Sequence, residues 1–315
     1  MLKHLRFILI SAILAISHLE GCTQTSIYQS SKPGDKLAVT VSIAPQKYFL
    51  ERIGGDRVRV NVMVEPGNDP HTYEPKPEQL RQLSQSKAYF SIGINLEQAW
   101  MNRLSAANQN LLVVDTSRGI QLLPISESLP RKEKQDKHHK EEENLDPHIW
   151  LSPKRVKQQG KTIYDALVKL DPQNKVKYKE NLDNFLKDID ALDAEIRQQL
   201  KGAKHHKFMV FHPEWGYFAK DYGLEMIPIE IGGTEPSAAE LAELITKAKK
   251  DDIKIIFAQP EFSKKSAEVI AKEIGGEVIL IRALSPDWMN NLRQVSKKFA
   301  QVLSLLKFTR FTLSS

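Results

Sequence analysis

Nine histidines and a single cysteine are the chain's imidazole and thiol metal donors, and their neighbours sort them. His4 and His18 fall in an apolar leader, His138 and His139 in a charged run, and His205 and His206 on a helix-to-strand connection. The remaining three share a setting. His71 closes Asn68-Asp69-Pro70-His71, His148 closes Asp146-Pro147-His148, and His212 stands in Phe211-His212-Pro213. Each follows an expected strand, directly or in the loop leaving it, and each neighbours a proline. Neutral imidazole suits zinc at about 2.0–2.1 Å. No HExxH and no CxxC is present, so no local motif forces a metal. Spacing alone leaves open that these are three unrelated loop histidines. Asp69, Glu74 and Asp146 lie close enough in sequence to accept the outer N–H of a ligating ring. Asx turns would use the same aspartates equally well.

Bringing three such distant residues together needs a scaffold with many loops on one rim. The sequence supplies it. Leu37 to Ile43 and Val58 to Val64 read as strands, the second with Val58, Val60, Val62 and Val64 at period two. Ala88–Ile92 and Leu111–Val114 follow as strands, with helices expected over Tyr48–Ile53, Glu78–Ser84 and Leu96–Leu104. The alternation resumes after Gly202. Strands are expected at Phe208–Phe211, Glu225–Ile231, Ile253–Phe257 and Val278–Ile281. Helices are expected at Glu214–Asp221, Ser237–Lys250, Ser263–Ile274 and about Pro286–Leu306, and Ser237 with Glu240 forms a capping box. Strands alternating with helices imply βαβ units and parallel sheets, whose ligands gather beyond the carboxyl ends of the strands. Between the halves, a helical pattern after Pro153 breaks at Asp171-Pro172. It then continues to Leu200 with one apolar stripe: Leu182, Phe185, Leu186, Ile189, Leu192, Ile196 and Leu200. Such a helix is about 40 Å long, enough to cross a domain.

Composition bounds the rest. In 315 residues, 41% are hydrophobic and 27% charged, close to the roughly 45–50% and 25% of globular chains, so wholesale disorder is excluded. Net charge is +6, with 45 basic and 39 acidic side chains spread along the chain, and no basic block interleaved with aromatics points to nucleic acid. One cysteine rules out a disulfide framework. Met-Leu-Lys-His-Leu-Arg, the apolar run Phe7 to Ile16 and Leu19-Glu20-Gly21-Cys22 form an export leader too short to span a bilayer, which needs about 20 residues. Cys22 sits where a bacterial lipoprotein signal places its lipidated cysteine. The organisation expected is a signal over 1–21, a tether over 22–36 and an N-terminal α/β lobe over 37–170 that carries a charged loop at 131–144. A linking helix over 171–201, a C-terminal α/β lobe over 202–306 and a tail over 307–315 complete it.

Five stretches carry a resemblance: VEPGNDPHTYEPKPEQL, DPHIWLSP, FHPEWGYFAKDYGLEMIPIE, GGTEPSAAELAELI and QPEFSKKSAEVIAKEIGG. In this order, and over roughly residues 37–306, they resemble the metal-binding solute receptors of bacterial ABC importers, the zinc and manganese binding proteins. The resemblance implies two parallel-sheet α/β lobes joined by one long rigid helix, with the metal in the cleft between them. It implies His71 and His148 as ligands from the first lobe and His212 as the ligand from the second. A histidine at that third position is implied for zinc, a carboxylate for manganese, and manganese prefers oxygen donors. The resemblance further implies Zn²⁺ as cargo, an ABC permease and its ATPase as partners, and auxiliary zinc capture by His138 and His139, while the leader itself points to a lipid anchor on Cys22. A monomer with no enzymatic activity is expected, releasing metal by a modest lobe shift that moves His212 relative to His71 and His148.

One position departs from the family's pattern. Arg282, in VILIRALSPDW, occupies the slot where an acidic fourth ligand is common, and an arginine cannot ligate a cation. Asp287, five residues on, is the candidate in its place. The alternative for Asp287 is a residue facing a helix N-terminus, and Arg282 could instead pair with Glu230 or Glu235. The other functional readings are a manganese or iron receptor and an adhesive surface protein. A secreted zinc hydrolase with Glu214 as base is the reading from a different class.

Overall fold

The computed structural model describes residues 36–129 and 145–304. Cys22, His138 and His139, with the signal, the tether, the 131–144 loop and the tail, lie outside the described residues. Two four-stranded sheets form, every strand pair in them parallel. The first contains β1 (Leu37–Val41), β2 (Val58–Val62), β3 (Ala88–Ser91) and β4 (Leu112–Asp115) in the order β2-β1-β3-β4. The second contains β5 (Lys207–Val210), β6 (Glu225–Pro228), β7 (Ile255–Ala258) and β8 (Glu277–Leu280) in the matching order β6-β5-β7-β8. In each sheet the connections leave the first strand to one side and then cross to the other. A crevice therefore opens at the carboxyl ends of β1 and β3, and again at those of β5 and β7.

The strands are shorter than their apolar runs for a reason visible in the hydrogen bonds. Ser42 and Ile43 leave the sheet because both their N–H groups donate to Gln46 Oε1, at 3.1 and 3.2 Å. That side chain also brings the start of α1 (Ala44–Gly54) forward by one turn, with Pro45 in the first turn, where its missing N–H costs nothing. The remaining helices of the first half are α2 (Pro77–Ser84), α3 (Asn95–Ala107) and α4 (Pro153–Leu170).

At Asp171 the chain makes a single 3-10 turn over Pro172–Asn174 and enters α5 (Lys175–Leu200), 26 residues without a break. Its stripe is buried as the spacing requires: Phe185, Ile189, Leu192 and Ile196 are each 0% exposed. Fully burying one such side chain stabilises by about 1.5–3 kcal/mol. The helix binds both halves. Arg52 Nη2 of α1 donates to Asp188 at 2.6 Å, and Asn181 Nδ2 donates to Ile53 O at 2.9 Å. Farther along, α9 (Trp288–Ser304) meets α5 through Arg293 to Glu195 at 2.7 Å and Ser296 to Gln199 at 2.7 Å. One apolar core runs from the first sheet through α5 to Phe257 and Phe299. A second, smaller core lies on the opposite face of the second sheet, under α7 (Ala238–Lys250) and α8 (Lys265–Ile274). The Ser237 capping box forms: Ser237 N–H donates to Glu240 Oε2 at 2.8 Å, and Glu240 N–H to Ser237 Oγ at 3.4 Å. No helix among the described residues is long and apolar enough to cross a membrane.

Candidate metal centre

His71 lies in the loop that leaves β2. Gln79, at the start of α2, ties the two ends of that loop: its Nε2 donates to Met63 O at 2.7 Å, and its Oε1 accepts Lys76 N–H at 2.8 Å. Asp69 makes an Asx turn, Oδ1 accepting His71 N–H at 2.8 Å and Oδ2 accepting the Thr72 hydroxyl at 3.0 Å. Its carboxylate therefore shapes the backbone, and the ring of His71 is oriented by Asn95, whose Oδ1 lies 2.9 Å from Nδ1. Glu74 is exposed at the surface.

His148 ends the segment that returns from β4 towards α4, and it is 2% exposed. Asp146 Oδ1 accepts both its backbone N–H, at 2.9 Å, and its ring Nδ1–H, at 2.7 Å. His212 follows β5 by two residues and is 7% exposed. Gln259, the first residue after β7, locks it from the neighbouring strand end. His212 N–H donates to Gln259 Oε1 at 3.2 Å, and Gln259 Nε2 donates to His212 O at 2.9 Å. Glu230 Oε2 accepts the ring Nδ1–H at 2.6 Å.

The structure thus brings all three histidines to one point. One ring nitrogen from each lies within 4.8 Å of the others, with His71 Nε2 and His212 Nε2 at 3.1 Å, so the group could hold a metal ion. Among the described residues this is the single such cluster of metal-binding side chains. Each Nδ1 faces an oxygen acceptor, so each ring carries its proton there and turns the Nε2 lone pair inward. Two Nε2 lone pairs cannot hydrogen-bond each other; a cation between them satisfies both. Tetrahedral zinc with arms of about 2.0–2.1 Å spaces its nitrogens about 3.3 Å apart, close to the shortest separation here. Burial pushes the pKa values of His71 and His212 below the usual 6.5; for His71 the neighbouring His212 ring adds to this, and for His212 burial outweighs the bond to Glu230. In both rings burial therefore favours the neutral form, the form that ligation requires. Phe262 stacks on His212 with centroids 4.5 Å apart and planes at 19°, and lies 6.4 Å from the His71 ring.

Asp287 does not join the cluster. It is exposed at the start of α9, where its Oδ1 accepts Asn290 N–H at 3.4 Å, the helix-terminus role. Arg282 is exposed as well, and neither suggested partner holds it: Glu230 serves His212, and Glu235 accepts the Ser266 hydroxyl. Its charge is felt instead by Glu261, whose pKa burial raises and Arg282 lowers. Glu214 is buried, with Oε1 accepting Trp215 Nε1–H at 3.1 Å, and burial holds its pKa well above the usual carboxylate value. Asn95 lies in none of the stretches that carry the resemblance; Gln259 and Phe262 open the last of them, QPEFSKKSAEVIAKEIGG, without a role assigned, and Glu230 was expected to meet a different partner.

Residues 39–302 match the family described as zinc-uptake complex component A, periplasmic. A curated relative, the high-affinity zinc uptake system protein ZnuA of Bacillus subtilis (strain 168), is 31% identical over 283 residues, covering 88% of this chain and 87% of its own. A crystal structure of ZnuA superposes with a TM-score of 0.79 at 47% identity, covering 86% of this chain and 100% of that one. A ZnuA deletion mutant with zinc bound gives the same TM-score and identity over 87% of this chain and 100% of its own.

Proposed function

The chain belongs to the family of the periplasmic component A of zinc-uptake complexes, and we propose that His71, His148 and His212 are the ligands with which it captures Zn²⁺. It is the zinc receptor of an ABC importer, working outside the cytoplasmic membrane and handing the ion to a permease driven by its ATPase. The observation that carries the ligand assignment is the arrangement of the imidazoles: one ring nitrogen from each converges within 4.8 Å, and each Nδ1 faces an oxygen, which leaves Nε2 to the ion.

Capture is ligand exchange. The neutral imidazoles displace water from the arriving ion, and the acceptors Asp146 and Glu230 raise the basicity of their rings as they fix them. Three nitrogens favour zinc over manganese, which prefers oxygen. Three protein ligands leave a fourth position for water or another oxygen, an arrangement that binding sites share with catalytic ones. Glu214 is the residue that a hydrolase would use as base, but it is turned to Trp215 and buried. Upstream, Leu19-Glu20-Gly21-Cys22 supports an acylated Cys22 that holds the receptor to a membrane by its tether.

The test is a competition titration of the protein from Thr23 onward against a chromophoric chelator, with Mn²⁺ in parallel and His212→Ala as the variant. One tight zinc equivalent, lost in the variant, with weak manganese binding is the expected result. Absent zinc binding, or manganese bound as tightly as zinc, would overturn the assignment.

A further inference from the structure

His148 belongs by sequence to the first lobe, since it lies between β4 and α4. Its surroundings tie it to the second. Four hydrogen bonds leave the segment 146–152 for second-lobe residues. Tyr217 Oη donates to Asp146 O at 2.6 Å, Trp150 Nε1 donates to Ala283 O at 3.0 Å, Trp288 Nε1 donates to Trp150 O at 2.6 Å, and the Ser152 hydroxyl donates to Asp221. The next turn adds Arg155, which pairs with Asp221 at 2.8 Å and lies 4.3 Å from the centre of the Tyr217 ring.

Tyr217 and its neighbour Gly216, at the start of α6 (Gly216–Tyr222), form the node. The Tyr217 hydroxyl also accepts Leu123 N–H at 3.0 Å, while Asp146 N–H donates to Leu123 O at 2.7 Å. One second-lobe hydroxyl thereby holds both Asp146 and Leu123, the residue that accepts the Asp146 N–H. A Cβ on Gly216 would stand 2.8 Å from Asp146 Oδ2, so the helix backbone abuts the carboxylate that orients the ring.

His71 is held differently. Its loop is tied by Asp69, Asn95, Gln79 and the Lys76–Glu65 pair, all within the first lobe. Towards the second lobe its ring meets His212, Nε2 to Nε2 at 3.1 Å, and Phe262 with ring centres 6.4 Å apart. Glu65, Pro66 and Gly67 at the loop's tip are exposed, and nothing stands within 4 Å of a Cβ built on Gly67.

Resting on the assignment of the three histidines to zinc, we propose that Tyr217 is a positioning residue that makes His148 part of the second lobe, so that His148 and His212 move as one body and the His71 loop is the element that opens to admit and release the ion. This regroups the ligands expected from the sequence, where His212 was to move against the other two. Zinc then leaves by losing one ligand from a loop, and the lobes need not part along the whole of α5.

Hydrogen exchange read by mass spectrometry tests this on the protein from Thr23 onward, with and without Zn²⁺, in wild type and Tyr217→Phe, alongside chelator titration of the same samples. Zinc is expected to slow exchange in 64–74 and to leave 145–152 unchanged in the wild type. Tyr217→Phe is expected to keep one zinc equivalent at lower affinity, by no more than the roughly tenfold at the low end for losing a direct outer partner of a ligand, since Tyr217 acts one bond further out through Asp146, and to make exchange in 145–152 zinc-dependent. Zinc protecting 145–152 as strongly as 64–74 in the wild type would overturn the proposal, as would a variant indistinguishable from wild type. A wild type that binds no zinc in the titration would instead overturn the ligand assignment on which the proposal rests.

Discussion

An imidazole becomes a zinc ligand through what its other nitrogen touches. Asp146 and Glu230 accept Nδ1–H from His148 and His212 at 2.7 and 2.6 Å, and both acceptors are themselves shielded from water. Glu230→Gln keeps the shape and removes the charge; zinc affinity is expected to fall about 10–100-fold, read by chelator competition, with one equivalent still bound. The same shell sets the response to acid. Burial depresses the pKa values of His71 and His212, so in the zinc-free state the unfolded chain takes up protons first as pH falls. Their contribution to stability is therefore complete above 6.5 and is lost as pH falls from there through their lower folded values. Thermal melts of zinc-free protein across pH 8 to 5 should show this loss, and His71→Ala should reduce it. A melting temperature that rises on acidification through this window would contradict the assignment.

At the scale of elements, α5 carries the most mechanical weight. Phe185, 0% exposed, meets Phe49 of α1 at 5.9 Å and Trp288 of α9 at 6.4 Å between ring centres, so one side chain packs against helices of both lobes. Phe185→Ala is expected to cost about 3–5 kcal/mol in denaturant unfolding; a cost below 1 kcal/mol would show that the stripe is not the lobes' shared core. This helix and its stripe were legible in the sequence because a period of three and four over so many residues has no competing reading. The strand ends were not. Gln46 takes two backbone donors from the end of the β1 run, and a long-range competition between side chain and ladder leaves no trace in local periodicity. Asp287 illustrates the same gap at the site: proximity in sequence offered it as a ligand, while the N-terminus of α9 took its carboxylate.

Taken as a whole molecule, the protein is two copies of one plan, each sheet ordered alike, with their strand ends feeding one cluster. The three histidines stood out in the sequence because each follows a strand beside a proline, and the family's motifs grouped them. Their supports did not stand out. Asn95, at the start of α3, and Gln259 and Phe262, in the loop after β7, reach the histidines through contacts that only the closed topology creates. His71, His148 and His212 are proposed to hold zinc through Nε2. X-ray absorption at the zinc edge of the loaded protein tests it most directly. The expected spectrum has a shell of nitrogen and oxygen at about 2.0–2.1 Å with the outer scattering of three imidazoles, one of them lost in His71→Ala. A first shell of oxygens with no imidazole scattering, or a spectrum unchanged by that substitution, would contradict it.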